Sequence, residues 1–473
     1  MASNVKKLAK TSLLLMLGQG SGQALSLLRN AIIGHLLSPT DFGIASIFAM
    51  TVSIIEMASD IGSDQLLIQA KDGNSTLLQN AAQFFSVLRG ITSCLFLLLI
   101  APYIAILFKI TEAESSFKLL ALVPLIRGFI HFDTKRFHRE MNFFPHLYVE
   151  TIPQILTFVL TLPIVLILED YTAVIRLILL QTLFLVFMTH FLAKRQYKIT
   201  FDPVALKRLM EFGWPLMING FLMFFIFQGD KFIIGIYYNM EKVAVYSTAF
   251  MLTMTPALLI IKVLTSLVLP LFSKKQDDIQ LLNSNYLLAI DITILIISAY
   301  TVFFTLYGDI FLGLVFGKHY QNQAALMMIL GTLWSLRMLR VPSTLLAVSK
   351  GDTRLGLVAN VFRSFALFGV FYCATYEYPI EAIATAGCLG ELIAVFITIK
   401  QVKHKFSINY SSFLKRIILF LFSLITSSLY VFYFRLYLLN TILISIAFLL
   451  LFSLIGVSIY RNLSNNERAI IDR

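Results

Sequence analysis

"FGWPLMINGFLMFFIFQGDKFIIG", residues Phe212 to Gly235, is apolar for eighteen residues before two opposite charges, Asp230 and Lys231, stand side by side. An uncharged run of about 18 residues is long enough to cross a membrane as a helix. Outward from it, such runs recur to both ends of the chain. The 473 residues are 58% hydrophobic and only 14% charged, with a mean hydropathy of +0.81. A soluble domain carries roughly 25% charged residues. The sequence therefore predicts an all-α integral membrane protein with fourteen spans. They run over 9–37, 41–63, 79–107, 116–132, 146–168, 172–193, the quoted seventh span at 209–237, 243–272, 285–308, 322–349, 355–376, 380–402, 412–434 and 440–460. The connections are short and leave no room for an inserted soluble domain.

The net charge of +12 has a membrane explanation that needs no nucleic acid. With the N-terminus inside, the inner connections carry Lys71, Lys135, Arg136, Arg139, Lys194, Arg195, Lys274, Lys275 and many more. The outer ones carry only Lys109, Lys242, Lys318 and Arg435. That asymmetry places both termini in the cytoplasm. Lys6, Lys7 and Lys10 precede the first apolar run like the start of a signal peptide. The run continues to about Leu37 without a small-residue cleavage site, so an uncleaved first helix is expected. Cys94, Cys373 and Cys388 lie in apolar runs and form neither a disulfide framework nor a metal spacing. The scattered histidines offer no metal-ligand pair. Neither metal nor cofactor is expected.

The quoted stretch also belongs to an internal repeat. "RNAIIGHLLSPTDFG" begins at Arg29 and "DKFIIGIYYNMEKVA" at Asp230, so that Ile32-Ile33-Gly34 falls on Ile233-Ile234-Gly235. Asn30 then falls on Lys231, and a looser, gapped alignment brings Arg127 onto Arg337. Spans 1–6 and 7–12 read as two copies of one six-helix unit. Six is even, so the copies point the same way, a parallel repeat about an axis along the membrane normal. The organisation expected is an N-lobe over 1–200, a C-lobe over 201–404 and two appended helices over 405–473. Two such bundles leave a central cleft, and rocking them gives alternating access.

"LSPTDFGIASI" after the first helix, the quoted seventh span, "DTKRFHREMNF" after the fourth and "KGDTRLGLVANVFRS" entering the eleventh together resemble the polysaccharide transporters. These are the Wzx-type oligosaccharide and O-antigen flippases of the MOP (multidrug/oligosaccharidyl-lipid/polysaccharide) superfamily. The resemblance covers essentially the whole chain, through diffuse motifs. It implies a MATE-like fold in a bacterial inner membrane. It also implies movement of an undecaprenyl-pyrophosphate-linked oligosaccharide from the cytoplasmic to the periplasmic leaflet, for exopolysaccharide, capsule or lipopolysaccharide. The implied partners are that lipid-linked cargo, membrane lipid, a coupling ion (H+ or Na+), and polysaccharide polymerase and chain-length machinery.

Such cargo needs cations for the pyrophosphate, a polar cleft for the sugar and helices that move. A charge inside a membrane costs about 2.5–3.5 kcal/mol on insertion scales, so it should face a cavity or a partner. The candidate anion-binding residues are Arg29, Arg89, Lys262, Arg337, Arg340 and Arg363. Arginine suits phosphate because its planar fork binds two oxygens. Arg337 and Arg340 are three apart and share a helix face. For Arg89 and Arg340, snorkelling toward the cytoplasmic side is an equal explanation. Asp230, Lys231, Asp291 and Glu391 are candidates for a gate or for ion coupling. Asp230 either faces the cleft or pairs with Arg29. Glu391, alone near the middle of span twelve, is either a proton carrier or a structural acid. Gly18, Gly20 and Gly22 of "GQGSGQ" form a hinge or a close-packing surface, each weakening a helix by roughly 1 kcal/mol relative to Ala. Pro215 and Gly220 are candidate bends in span seven. Trp214 and Trp334 either stack on sugar or pack.

Rival functions share the architecture. A small-molecule antiporter of the same superfamily needs fewer cations and usually twelve spans. A peptidoglycan-precursor flippase has the same chemistry with another sugar. A polymerase or ligase usually carries a large periplasmic loop, and no nucleophile–base constellation is visible, so an enzyme is not expected.

Overall fold

The computed structural model describes residues 20, 22–273, 279–352, 354–406 and 410–434, with scattered positions between 445 and 455. All regular secondary structure among them is helical. Among the described residues ten helices are long and apolar enough to cross a membrane, and a helix pair bent by 55° brings the number to eleven. Of the fourteen spans expected, the first is described from residue 20 only, and most of 440–460 lies outside the described residues.

The chain divides into two compact units, Met1–Ser247 and Thr248–Arg473. In the first, α1 occupies 22–36. It is followed by α2 (Pro39–Ser59), α3 (Ser63–Gln69), α4 (Thr76–Leu107), α5 (Glu114–Leu120), α6 (Leu122–Gly128), α7 (Asp133–Arg139), α8 (Phe144–Leu168), α9 (Thr172–Leu192) and α10 (Pro203–Tyr237). The Ser38 hydroxyl accepts from the Asp41 N–H at 3.1 Å, and Pro39 supplies a helix-ready φ; together they start α2. The same device starts α10 six residues before the expected 209. Asp202 accepts from the Ala205 N–H at 2.7 Å, and Pro203 follows it. Span four, expected as one helix over 116–132, is instead α5 and α6, bent into α7. Pro124 accounts for the first break: its ring crowds the carbonyl four residues back, at Leu120, where α5 ends.

Helices in a membrane gain no hydrophobic drive from each other and associate where small residues admit a close backbone. α10 meets α2 in this way. A Cβ on Gly220 would lie 2.1 Å from the Met57 carbonyl oxygen, and one on Gly213 would lie 2.2 Å from Ile61. The turn between α2 and α3 is made by Gly62 at φ 62°, in the left-handed region. α11 (Met240–Ser273) contains the boundary between the units.

The second unit continues with α12 (Ile279–Phe316), α13 (Ala324–Ser349), α14 (Arg354–Ser364), α15 (Ala366–Thr375), α16 (Ile380–Phe406) and α17 (Tyr410–Phe434). α13 is its central helix, packed on both α12 and α16. Buried hydroxyls tie α12 to α13: Tyr286 with Ser343 at 2.8 Å and Thr301 with Ser335 at 2.7 Å. α14 and α15 make one span, interrupted at Phe365.

Candidate functional site

In the second unit α13, α14 and α16 bring three of the sequence candidates together. Glu391 is fully buried. Its Oε1 accepts from the Arg337 Nε, and the Arg363 Nε stands 2.5 Å from the same oxygen as an ion pair. Both guanidiniums are 8% exposed. Arg337 also lies over the Trp334 ring, 4.3 Å from its centroid. Arg340, one turn further along α13, interacts electrostatically with Glu391 and Arg337. Its Nη2 donates to Asn360 Oδ1 at 3.2 Å. Among the described residues neither Glu391 Oε2 nor Arg340 Nη1, both buried, has a hydrogen-bond partner. The backbones are close here: a Cβ on Gly390 would lie 2.4 Å from the Ala366 Cβ and 3.0 Å from the Arg363 carbonyl oxygen. Glu391 is thus not the solitary acid its span suggests. Its partners come from other helices, and one sequence window cannot show them. Trp334 is 1% exposed and packs on Phe250 and Arg337, so it offers no face to sugar in this structure. Trp214, on α10, is exposed.

The first unit holds a cavity of about 230 Å³ among α2, α3, α4, the bent α6–α7 segment, α8 and α9. Three ion pairs and one histidine–carboxylate contact line it. Arg127 donates to Glu56. Arg89 stands 3.7 Å from Asp60, Lys135 2.6 Å from Asp64, and His146 3.6 Å from Glu150. Arg89 was singled out from sequence for the cargo anion. Glu56 and Asp60 are intramembrane acids in the sequence to which no role attaches there, and Asp64, His146 and Glu150 are not among its candidates. A signal existed: Glu56, Asp60 and Asp64 recur every four residues where span two ends, an unusual density of acids at the edge of an apolar run.

The remaining candidates lie apart. Arg29 donates to Gln181 Oε1 at 2.5 Å. Asp230 accepts from the Tyr246 hydroxyl, so the pairing of Asp230 with Arg29 is not the contact made in this structure. Lys231 donates to Gln228 Oε1 at 3.1 Å. Lys262 on α11 and Asp291 on α12 are half-buried. Gly18 lies outside the described residues, whereas Gly20 and Gly22 are helical. A Cβ on Gly22 would meet the Gln154 side chain at 2.8 Å, which is a close-packing position. α10 runs without interruption through Pro215 and Gly220. No cluster of three or more metal-ligating side chains occurs among the described residues.

Two ion pairs each join a helix end to a carboxylate in a loop outside the spans. Arg208 binds Asp72 through both nitrogens, at 2.7 and 2.9 Å, and this holds the Asp72 carboxyl below the usual carboxylate range. Lys405, 2.5 Å from Asp352, does the same to that carboxyl.

A model of a family described as polysaccharide biosynthesis protein matches residues 32–325. An uncharacterized membrane protein in the cps region of Klebsiella pneumoniae is 22% identical over 394 residues, covering 82% of this chain and 81% of that protein. The teichuronic acid biosynthesis protein TuaB of Bacillus subtilis (strain 168) is 20% identical over 323 residues, covering 68% and 67%. Among solved structures, the lipid II flippase MurJ in an inward closed conformation superposes with a TM-score of 0.73 at 16% identity. That match covers 95% of this chain and 99% of MurJ, and is a likeness of fold alone. The family matched is the one the sequence motifs resemble.

Proposed function

The chain belongs to the family of polysaccharide biosynthesis proteins, and from that premise we propose that it is a flippase. Its cargo in this reading is the undecaprenyl-pyrophosphate-linked oligosaccharide repeat unit. It carries the unit across the inner membrane for exopolysaccharide, capsule or O-antigen assembly, by alternating access. The observation that carries the reading is the gathering of guanidiniums within apolar helices, at Arg337, Arg340 and Arg363. Charges at such depth mark a substrate or ion path by default, and arginine is matched to phosphate oxygens. The lipid tail stays in the bilayer while the diphosphate and sugar pass through polar surroundings.

The same reading has fourteen spans, a six-plus-six-plus-two plan and both termini in the cytoplasm. Arg29, Arg89 and Lys262 supply further anion contacts. Asp230 and Lys231 form a gate, and Asp291 serves a coupling ion. The polymerase and chain-length machinery act downstream.

The test is lipid extraction from a host lacking the protein. The expected result is accumulation of a complete pyrophosphate-linked repeat unit on the cytoplasmic leaflet. The intact gene cures it, and Arg363→Ala does not. Unchanged surface polysaccharide without accumulation overturns the reading in favour of small-molecule antiport. Accumulation of a peptidoglycan precursor instead reassigns the cargo.

A further inference from the structure

We propose that the Glu391 carboxylate is a built-in stand-in for the cargo's phosphate, occupying Arg337 and Arg363 until a phosphate-class anion displaces it. The inference deepens the flippase reading and rests on it only for the source of the anion.

Three guanidiniums gather around a single carboxylate, so the cluster has more positive than negative charge. Two of them converge on one oxygen, Oε1, while Oε2 has no hydrogen-bond partner among the described residues. A carboxylate placed solely to neutralise two arginines satisfies itself best when both oxygens are engaged, as in bidentate pairs. Here half of its accepting capacity is unused, and Arg340 Nη1 nearby has unused donor capacity. A tetrahedral phosphate or diphosphate presents more acceptor oxygens than a carboxylate. It can engage the Arg337 and Arg363 forks and reach Arg340 as well.

The exchange has a mechanical consequence. Glu391 stands on α16, whereas its guanidinium partners stand on α13 and α14. α16 meets the interruption between α14 and α15 at Gly390, which packs directly against the Ala366 methyl and the Arg363 carbonyl oxygen. An anion that takes over the arginines removes the ion-pair tie between α16 and both neighbours, leaving only their apolar packing. Cargo binding is thereby converted into freedom of one helix. Glu391 is a positioning residue in this scheme, since it acts through the arginines and does not touch the cargo.

Inorganic pyrophosphate titrated into the detergent-purified full chain tests this, read by calorimetry and by thermal shift. In Glu391→Gln the competitor is gone. The expected result is binding at least about tenfold tighter than in the parent, worth about 1.4 kcal/mol, with a larger pyrophosphate-induced rise in Tm. Adding Arg340→Gln should cancel the gain. Unchanged or weaker affinity in a folded Glu391→Gln protein overturns the proposal and leaves the carboxylate a structural counter-charge. Should that variant not fold, Glu391→Asp decides. Its shorter side chain competes less well and should bind pyrophosphate several-fold tighter, and parent-like affinity overturns the proposal. Tight binding in Glu391→Gln by a protein whose deletion accumulates no lipid-linked oligosaccharide supports the stand-in while ending the flippase reading.

Discussion

Where a buried carboxylate holds two arginines, truncating it strands both of them in a medium that solvates charge poorly. Glu391→Ala should therefore cost about 3–5 kcal/mol, the range for breaking a buried ion pair from one side. Replacing the carboxylate and Arg337 together should cost less than the sum of the single changes, because residues in one network do not act independently. Thermal unfolding of the purified single and double variants checks both statements. Asp230 offers a different contrast. It accepts from Tyr246, so a role limited to fixing that hydroxyl would make Tyr246→Phe behave like Asp230→Ala. The gate assignment instead predicts that Asp230→Ala loses surface polysaccharide while Tyr246→Phe retains it, with both proteins present in the membrane. Measuring polysaccharide against protein level in the two strains separates the cases.

At the scale of elements, the contact of α10 with α2 is made by absent side chains. Gly220→Ala places a methyl where the Met57 carbonyl oxygen stands. The helices must part, at a cost of about 1–3 kcal/mol by analogy with overpacked cores; denaturant or thermal unfolding in detergent reads it. The bond from Arg208 to Asp72 joins the start of α10 to the loop before α4. Because Asp72 titrates below its ordinary value, the pair contributes fully above about pH 4, the range of a free Asp. The contribution fades as pH falls through the lowered value. Both side chains are well exposed, so Asp72→Asn should change stability by no more than about 1 kcal/mol at neutral pH. Any difference from the parent should shrink on acidification. These elements also show what a sequence can reveal. Spans five and six were expected at 146–168 and 172–193, and α8 and α9 cover Phe144–Leu168 and Thr172–Leu192, since hydropathy reports directly on burial in lipid. The break in the fourth span has little trace in hydropathy, because apolar composition hides a backbone break and only the single Pro124 marks it.

For the whole molecule, the asymmetry of Lys and Arg predicts a topology that labelling can check. With Cys94, Cys373 and Cys388 replaced, Lys318→Cys should react with an impermeant thiol reagent added outside the cell. Lys135→Cys should react only after the membrane is opened. The opposite pattern inverts the assignment of sides. The site was less legible than the fold. Arg337, Arg340, Arg363 and Glu391 were each suspected from depth and charge, but their assembly was not. It depends on helix rotation and on which faces meet, and residues 54 positions apart carry no local trace of each other. The pairing of Arg127 with Glu56 escaped for the same reason. The contrast in exposure between the ion pairs has a practical consequence in terms of ionic strength. The screening length falls from about 8 Å at 0.15 M to about 3 Å at 1 M salt. Concentrated salt therefore loosens Arg208–Asp72 and Lys405–Asp352 at the loops, whereas the enclosed arginines on Glu391 scarcely sense it. Salt thus becomes a reagent that unfastens the rim of the protein while leaving its interior charge cluster closed.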